Sequence, residues 1–170
     1  MPTHWGIDLG TSNTTVCEDR SGAPHVVNLP ELATVEPLTQ TPVIMSCVCV
    51  MDALARSVLV GQEAMTYNWD GQATGFARGF KRYLGVESER PMAKVERRTF
   101  SAREVATFFL RELLLRLEKQ SGETITDLTI PTPSGFFEHY RAELQSIVRE
   151  IRHRPWWQRA WDRLRGRPGD

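Results

Sequence analysis

An aspartate, a glycine and three small polar residues stand together in HWGIDLGTSNTTVCED, residues 4 to 19, and that combination suits a nucleotide phosphate. A polyphosphate bound at a strand-to-strand turn needs backbone amides that can approach unhindered. Gly10 permits this, and the small donors Thr11, Ser12 and Asn13 follow it. The phosphates also bring a metal that needs a carboxylate. Asp8 fits, because Mg²⁺ keeps several waters and is commonly held through one carboxylate plus the phosphates themselves. This is not the strand-to-helix phosphate loop: there is no GK[ST], and the next element reads as a strand. Taken alone, the same residues fit a plain hairpin with a glycine turn and a solvated aspartate equally well.

The elements that would position this turn are short. Residues 5 to 9, 14 to 18 and 25 to 29 are partly β-branched runs separated by GTSN and DRSGAP, and they read as three antiparallel strands. TPVIMSCVCV and RSVLVG are strand-like, QEAMTYNW and ATGFARGFKRYLG read as short helices around a glycine-containing loop, and MAKVERRTF reads as a strand. The best helix signal lies at 101 to 120. Ser101 and Glu104 form a capping box, and Val105, Phe108, Phe109, Leu113, Leu115 and Leu117 give a broad apolar face. SGE ends that helix, TITDLTIPTP reads as a buried strand closed by its prolines, and SGFFEHYRAELQSIVREI reads as a second helix. Three strands, an insertion, then helix, strand and helix predict an α/β fold whose sheet carries a parallel edge.

Length and composition set few limits. A chain of 170 residues buries about 70% of the surface its unfolded form exposes, so one core needs no staples. With 41% hydrophobic residues, 25% charged and a formal net charge of zero, nothing global points to nucleic acid. The charge is uneven: residues 152–170 carry six Arg and two Asp, net +4, and the rest is net −4. Cys17, Cys47 and Cys49 cannot all pair, and all three are expected as reduced thiols. The start lacks a basic region followed by an apolar stretch, and the apolar run 43–51 is far short of the roughly 20 residues of a membrane span. A cytoplasmic location is the expectation.

GIDLGTSNTTV, TPVIM, VLVGQEA, FKRYLG, the Ser101 helix and ITDLTIPTPSGFFEHYRAEL resemble, in order and spacing, the ATPase domain of the 70-kDa heat-shock chaperones of the DnaK type. The resemblance covers roughly residues 4 to 150. DLGT is shared across the actin and sugar-kinase superfamily, whereas VGQEA followed by FKRYLG is closer to the chaperones than to the bacterial actin-like filament proteins. It implies the N-terminal lobe of an actin-like (ribonuclease H-like) ATPase domain, a mixed sheet with flanking helices. The lobe core would be 1–38 and 99–151, the inserted small α+β subdomain 39–98, and 152–170 a basic, Trp-rich tail outside the family pattern. ATP or ADP with Mg²⁺ would be the cofactors, and protein folding in the stress response the setting. Asp8 would organise the hydrated Mg²⁺, Gly10, Thr11, Ser12 and Asn13 would form the first phosphate loop, and Lys81 would reach the γ-phosphate to orient the attacking water. Such roles are coherent, because phosphoryl transfer demands positioning and charge neutralisation more than covalent help. Pro131 would belong to an interlobe switch and Arg141, in a segment spaced slightly differently, would relay nucleotide state. On residue type alone, Lys81 and Arg141 also read as an ordinary solvated lysine and an ordinary exposed helix arginine.

The family's nucleotide lies between two lobes, and the second phosphate loop, the adenosine pocket, the later acidic residue and the peptide-binding domain have no counterpart in these 170 residues. The chain thus reads as truncated, and little or no ATP hydrolysis is expected of it alone, since misplacing reacting groups by about 1 Å can cost on the order of a hundredfold. Two alternatives stand beside the truncated chaperone: a non-enzymatic interaction module, and half of a split ATPase completed by another chain. A second-lobe chain or a co-chaperone would be the partner. The tail reads as a helix covering the core face, as an interfacial anchor, or as arbitrary sequence after a frameshift or truncation, with membrane contact the least favoured. Its arginines come without a stacking or groove-reading module, so nucleic acid is not an expected partner.

Overall fold

The computed structural model describes residues 3–132 and 138–153. Strands β1 (His4–Leu9) and β2 (Asn13–Asp19) pair antiparallel along their whole length, with Asp8 opposite Thr15 and Leu9 opposite Thr14. Alternation sends Trp5, Ile7, Leu9, Thr14 and Val16 inward, as half-buried strands require. The far half of β2 pairs with β3 (Pro24–Val26), and its beginning pairs with β5 (Pro42–Met45), which in turn pairs with β4 (Ala33–Val35). On the other side of β1 lies β11 (Leu128–Thr129), parallel to it, with Trp5 opposite Leu128. The result is a mixed six-stranded sheet in an α/β arrangement with three α-helices among the described residues, and β11 stands at its edge.

Two smaller sheets complete the described residues. β6 (Cys47–Val50) lies between β7 (Val58–Val60) and β8 (Phe76–Arg78), and β9 (Pro91–Val95) forms a hairpin with β10 (Arg98–Ser101). Helix α1 (Gly61–Tyr67) follows β7 directly. The long helix α2 (Ala102–Ser121) starts on the expected capping box, with both the Ser101 and the Glu104 side chains bonded to backbone N–H groups. It ends at Gly122, whose left-handed φ of +71° and N–H bond to the Glu118 carbonyl close the last turn. Val105, Phe109, Leu110, Leu113 and Leu117 are buried, and α2 touches the second and third sheets as well as helix α3 (Glu138–Arg152). Because it is covered on so many sides, its apolar residues are not confined to one stripe. Helix α3 has a single apolar stripe, Tyr140, Leu144, Ile147 and Ile151, which packs inward.

Several expectations need correction. TPVIMSCVCV is strand as expected but divides in two, because the chain changes sheets at Ser46: β5 joins the six-stranded sheet and β6 the three-stranded one. ATGFARGFKRYLG is a strand and a 3-10 turn (Phe80–Tyr83), not a helix, since residues 76–78 find a partner in β6 and Gly79 breaks the chain at φ +72°. MAKVERRTF is a hairpin whose turn carries Glu96 at φ +55°. The strand in TITDLTIPTP is two residues long and not buried, with Thr129 exposed at the sheet edge. No described helix is long and apolar enough to cross a membrane. The readings of the tail fall on 154–170 apart from its first two residues, and so lie outside the described residues.

Candidate functional site

The turn from Gly10 to Ser12 projects from the end of the β1–β2 pair. A Cβ on Gly10 would sit 2.0 Å from the Asn13 carbonyl oxygen, so no side chain fits there without opening the turn. Ser46, at the break between β5 and β6, braces the turn from beneath. Its hydroxyl donates to the Gly10 carbonyl at 2.9 Å and lies 2.9 Å from the Thr14 hydroxyl, while its N–H donates to the Ser12 carbonyl at 2.7 Å. Both Ser46 and Thr14 are buried, so these bonds are shielded from competing water. The sheet change at Ser46 therefore puts a hydroxyl where the turn needs an anchor.

Asp8, Ser12 and Asn13 are exposed, and Thr11 is half-buried. Among the described residues no cation or hydrogen-bond donor is paired with the Asp8 carboxylate. The residues therefore fit a hydrated Mg²⁺ carrying phosphates: one free carboxylate on a strand end, beside a turn without a side chain at Gly10. No group of three or more His, Cys, Asp or Glu among the described residues is arranged to hold a metal, so an ion here would take its remaining ligands from water and phosphate.

Lys81 lies against α3. It stands in the turn Phe80–Tyr83, which is fixed by Phe80, a fully buried ring with its centroid 5.4 Å from that of Phe109 on α2. Its Nζ lies 5.9 Å from the centroid of the Tyr140 ring, within cation–π range. Tyr140 is buried and its phenol is pushed up to about 12, first by burial and then by the negative charge of Asp8. A buried tyrosine on α3 therefore carries the lysine on the face of its ring.

The seat of Tyr140 is built from the turn beyond Lys81. Gly85 adopts φ +75°, and a Cβ there would lie 2.4 Å from the Tyr140 nitrogen, so α3 can approach this closely only over a glycine. One turn along α3, the Glu143 carboxylate accepts from the Gly85 N–H and the Ser88 hydroxyl, and it pairs with Arg103 of α2 at 3.4 Å. Arg103 also donates to Ser146 at 3.1 Å. Gly85 to Pro91, His139 and Glu143 line an open cleft of about 1000 Å³ beside this bracket.

The structure places Asp8 and the turn 10–13 together at the end of the β1–β2 pair and sets Lys81 against Tyr140 of α3. Pro131 is exposed beyond β11, and Arg141, one residue past Tyr140, is exposed on α3. Sequence reasoning missed Ser46, Tyr140 and Glu143. Ser46 left a faint signal as the one hydroxyl in an apolar run, whereas Tyr140 and Glu143 act through contacts with residues distant in the chain, which no local pattern marks. No protein-family model matches the chain.

Proposed function

We propose that the chain is a nucleotide-binding lobe of the 70-kDa heat-shock type, with an actin-like arrangement of its main sheet, that holds the phosphates of Mg·ATP or Mg·ADP at the turn Gly10–Asn13. The observation that carries this reading is the braced turn itself: a glycine that admits no Cβ, locked from below by Ser46, next to a carboxylate without a partner among the described residues. A plain hairpin has no use for a buried two-hydroxyl anchor beneath its loop. The strand sequence β3, β2, β1, β11, antiparallel and then parallel after a long helix, supports the actin-like assignment.

In this reading Asp8 fixes the ion through its water shell, the turn's amides and hydroxyls meet the phosphate oxygens, and Lys81 supplies a compact positive charge. The exposed face of Asp8, Ser12 and Asn13 is then completed by a second lobe, and the chain alone binds nucleotide weakly without hydrolysing it. Chaperone work with protein clients and a cytoplasmic setting belong to the same proposal. Titrating Mg·ADP into the chain and into its Asp8→Asn variant tests it: binding that the variant loses supports the reading, and identical behaviour of the two removes it.

A further inference from the structure

Alternation gives the main sheet a second face. Trp5, Ile7, Leu9 and Val16 point into the core, so the residues between them point the other way. On that outer face Thr129, Gly6, Cys17 and Val26 stand opposite one another in a single cross-strand row over β11, β1, β2 and β3, about 14 Å wide. None of the four is buried: Gly6 and Cys17 are half-buried, Thr129 is exposed, and Val26 is 46% exposed. The row is low, because the Cys17 thiol leans over Gly6, where an added Cβ would meet its sulfur at 2.6 Å. Carboxylates border it on both sides. Asp8 stands opposite Thr15 in the next row towards the turn, and Asp19 stands opposite His4 in the row beyond, where the His4 Nδ1 lies 2.5 Å from the Asp127 carboxylate. No position of these four strands holds a Lys or Arg.

We propose that this row is the docking surface for the chain's own Trp-rich end, residues 154–170. The first support is where that segment begins. Helix α3 ends at Arg152, whose Nη1 donates to the Thr126 carbonyl at 3.3 Å, one residue before Asp127, so the chain leaves α3 at the corner of the sheet where β11 meets His4. Seventeen further residues reach about 25 Å even at the short rise of a helix, more than the width of the row. The second support is size. Trp156, Trp157 and Trp161 are large, flat side chains, and a row of Thr, Gly, Cys and Val leaves room for them. The third is charge: Arg154, Arg159, Arg163, Arg165 and Arg167 against Asp162 and Asp170 give the segment five positive and two negative charges, net +3, opposite in sign to the bordering Asp8, Asp19 and Asp127. Docking there covers the Cys17 thiol and does not depend on nucleotide at the turn 10–13.

The test uses the full, reduced chain. In NOE spectra of the isotope-labelled protein, indole protons of Trp156, Trp157 or Trp161 should contact the methyl groups of Val26 and Thr129. Iodoacetamide should alkylate Cys17 about tenfold more slowly in the unaltered chain than in Trp156→Ser/Trp157→Ser/Trp161→Ser, because the reagent reaches the thiol only while the segment is off the face. Cys47 and Cys49 are buried, and their continued protection in the variant shows that the core is intact. Arg159→Glu/Arg163→Glu/Arg165→Glu keeps the indoles but reverses the charge, and should also speed alkylation of Cys17. Absence of the indole contacts in the unaltered chain would overturn the proposal whatever the variants do. Equal Cys17 rates in the unaltered chain and in a tryptophan variant with protected Cys47 and Cys49 would overturn it as well. Contacts that arise only between differently labelled molecules in a mixed sample would overturn it in favour of a second copy of the chain as the occupant.

Discussion

Lys81 Nζ lies 5.9 Å from the centroid of the Tyr140 ring, so the lysine turn is seated on a buried aromatic of α3. The ring, not the lysine, holds the arrangement together. Tyr140→Ala should destabilise the fold by about 3–5 kcal/mol, as truncation of a buried aromatic does. Lys81→Met removes one cation–π contact at a half-buried position and should cost no more than about 1 kcal/mol. Urea unfolding of both variants checks the order, and a larger loss for Lys81→Met would contradict it.

At Gly10 the clash is with backbone, which cannot swing aside. Gly10→Ala brings a methyl to 2.0 Å from the Asn13 carbonyl, so the turn must open, at about 1–3 kcal/mol of stability. Amide shifts at residues 10–14 should move in this variant while those of α3 stay in place. An unchanged turn with full stability would show that the loop is less constrained than the geometry requires.

The buried hydroxyls of Ser46 and Thr14 form one hydrogen-bonded unit with the half-buried Gly10 carbonyl. Ser46→Ala leaves the half-buried Gly10 carbonyl and the buried Thr14 hydroxyl without this partner and should cost about 1–3 kcal/mol. In a double-mutant cycle with Thr14→Val, the second substitution should cost less once the first is present, with a coupling of at least about 0.5 kcal/mol. Strict additivity in the unfolding free energies would mean the two hydroxyls act independently.

Alkaline stability reports on the same tyrosine. Its folded value is raised from 10.0 to about 12, so the fold binds the phenolic proton more tightly than the unfolded chain does. The resulting stabilisation is complete below pH 10 and is lost as pH rises to about 12, an effect on the order of 2 kcal/mol. Cys47, raised from 9.0 to about 12, acts in the same direction from about pH 9 upward. Tyr140→Phe should therefore flatten the decline above pH 10 and leave the part due to Cys47. Equal slopes in the variant and the unaltered chain would show that Tyr140 titrates as an exposed phenol.

Local signals were legible in the sequence, and long-range ones were not. Ser101 and Glu104 specify the start of α2 within four residues, and Gly122 specifies its end, so that helix reads directly. The β1–β2 hairpin reads equally well, because alternation and turn residues are both local. ATGFARGF misled because the pairing of residues 76–78 with β6 outweighs their own propensity. The β9–β10 hairpin was hidden because its turn uses Glu96 at positive φ where a glycine or asparagine would have been the cue. In the candidate site, Asp8 and the turn 10–13 stood out by residue type. The brace by Ser46 and the contact of Lys81 with Tyr140 depend on which strands and helices meet, and short sequence windows carry none of that.

The most direct measurement of the central claim is an amide-resolved NMR titration of the isotope-labelled chain with Mg·ADP, repeated without Mg²⁺ and with Asp8→Asn. A half-site of this kind should bind with a dissociation constant on the order of 1 mM, near −4 kcal/mol. The shift changes should concentrate at residues 8–14 and at Lys81, weaken without Mg²⁺ and vanish in Asp8→Asn. No changes at residues 8–14 up to about 10 mM nucleotide, or the same changes in Asp8→Asn, would contradict the assignment of this turn as a phosphate site.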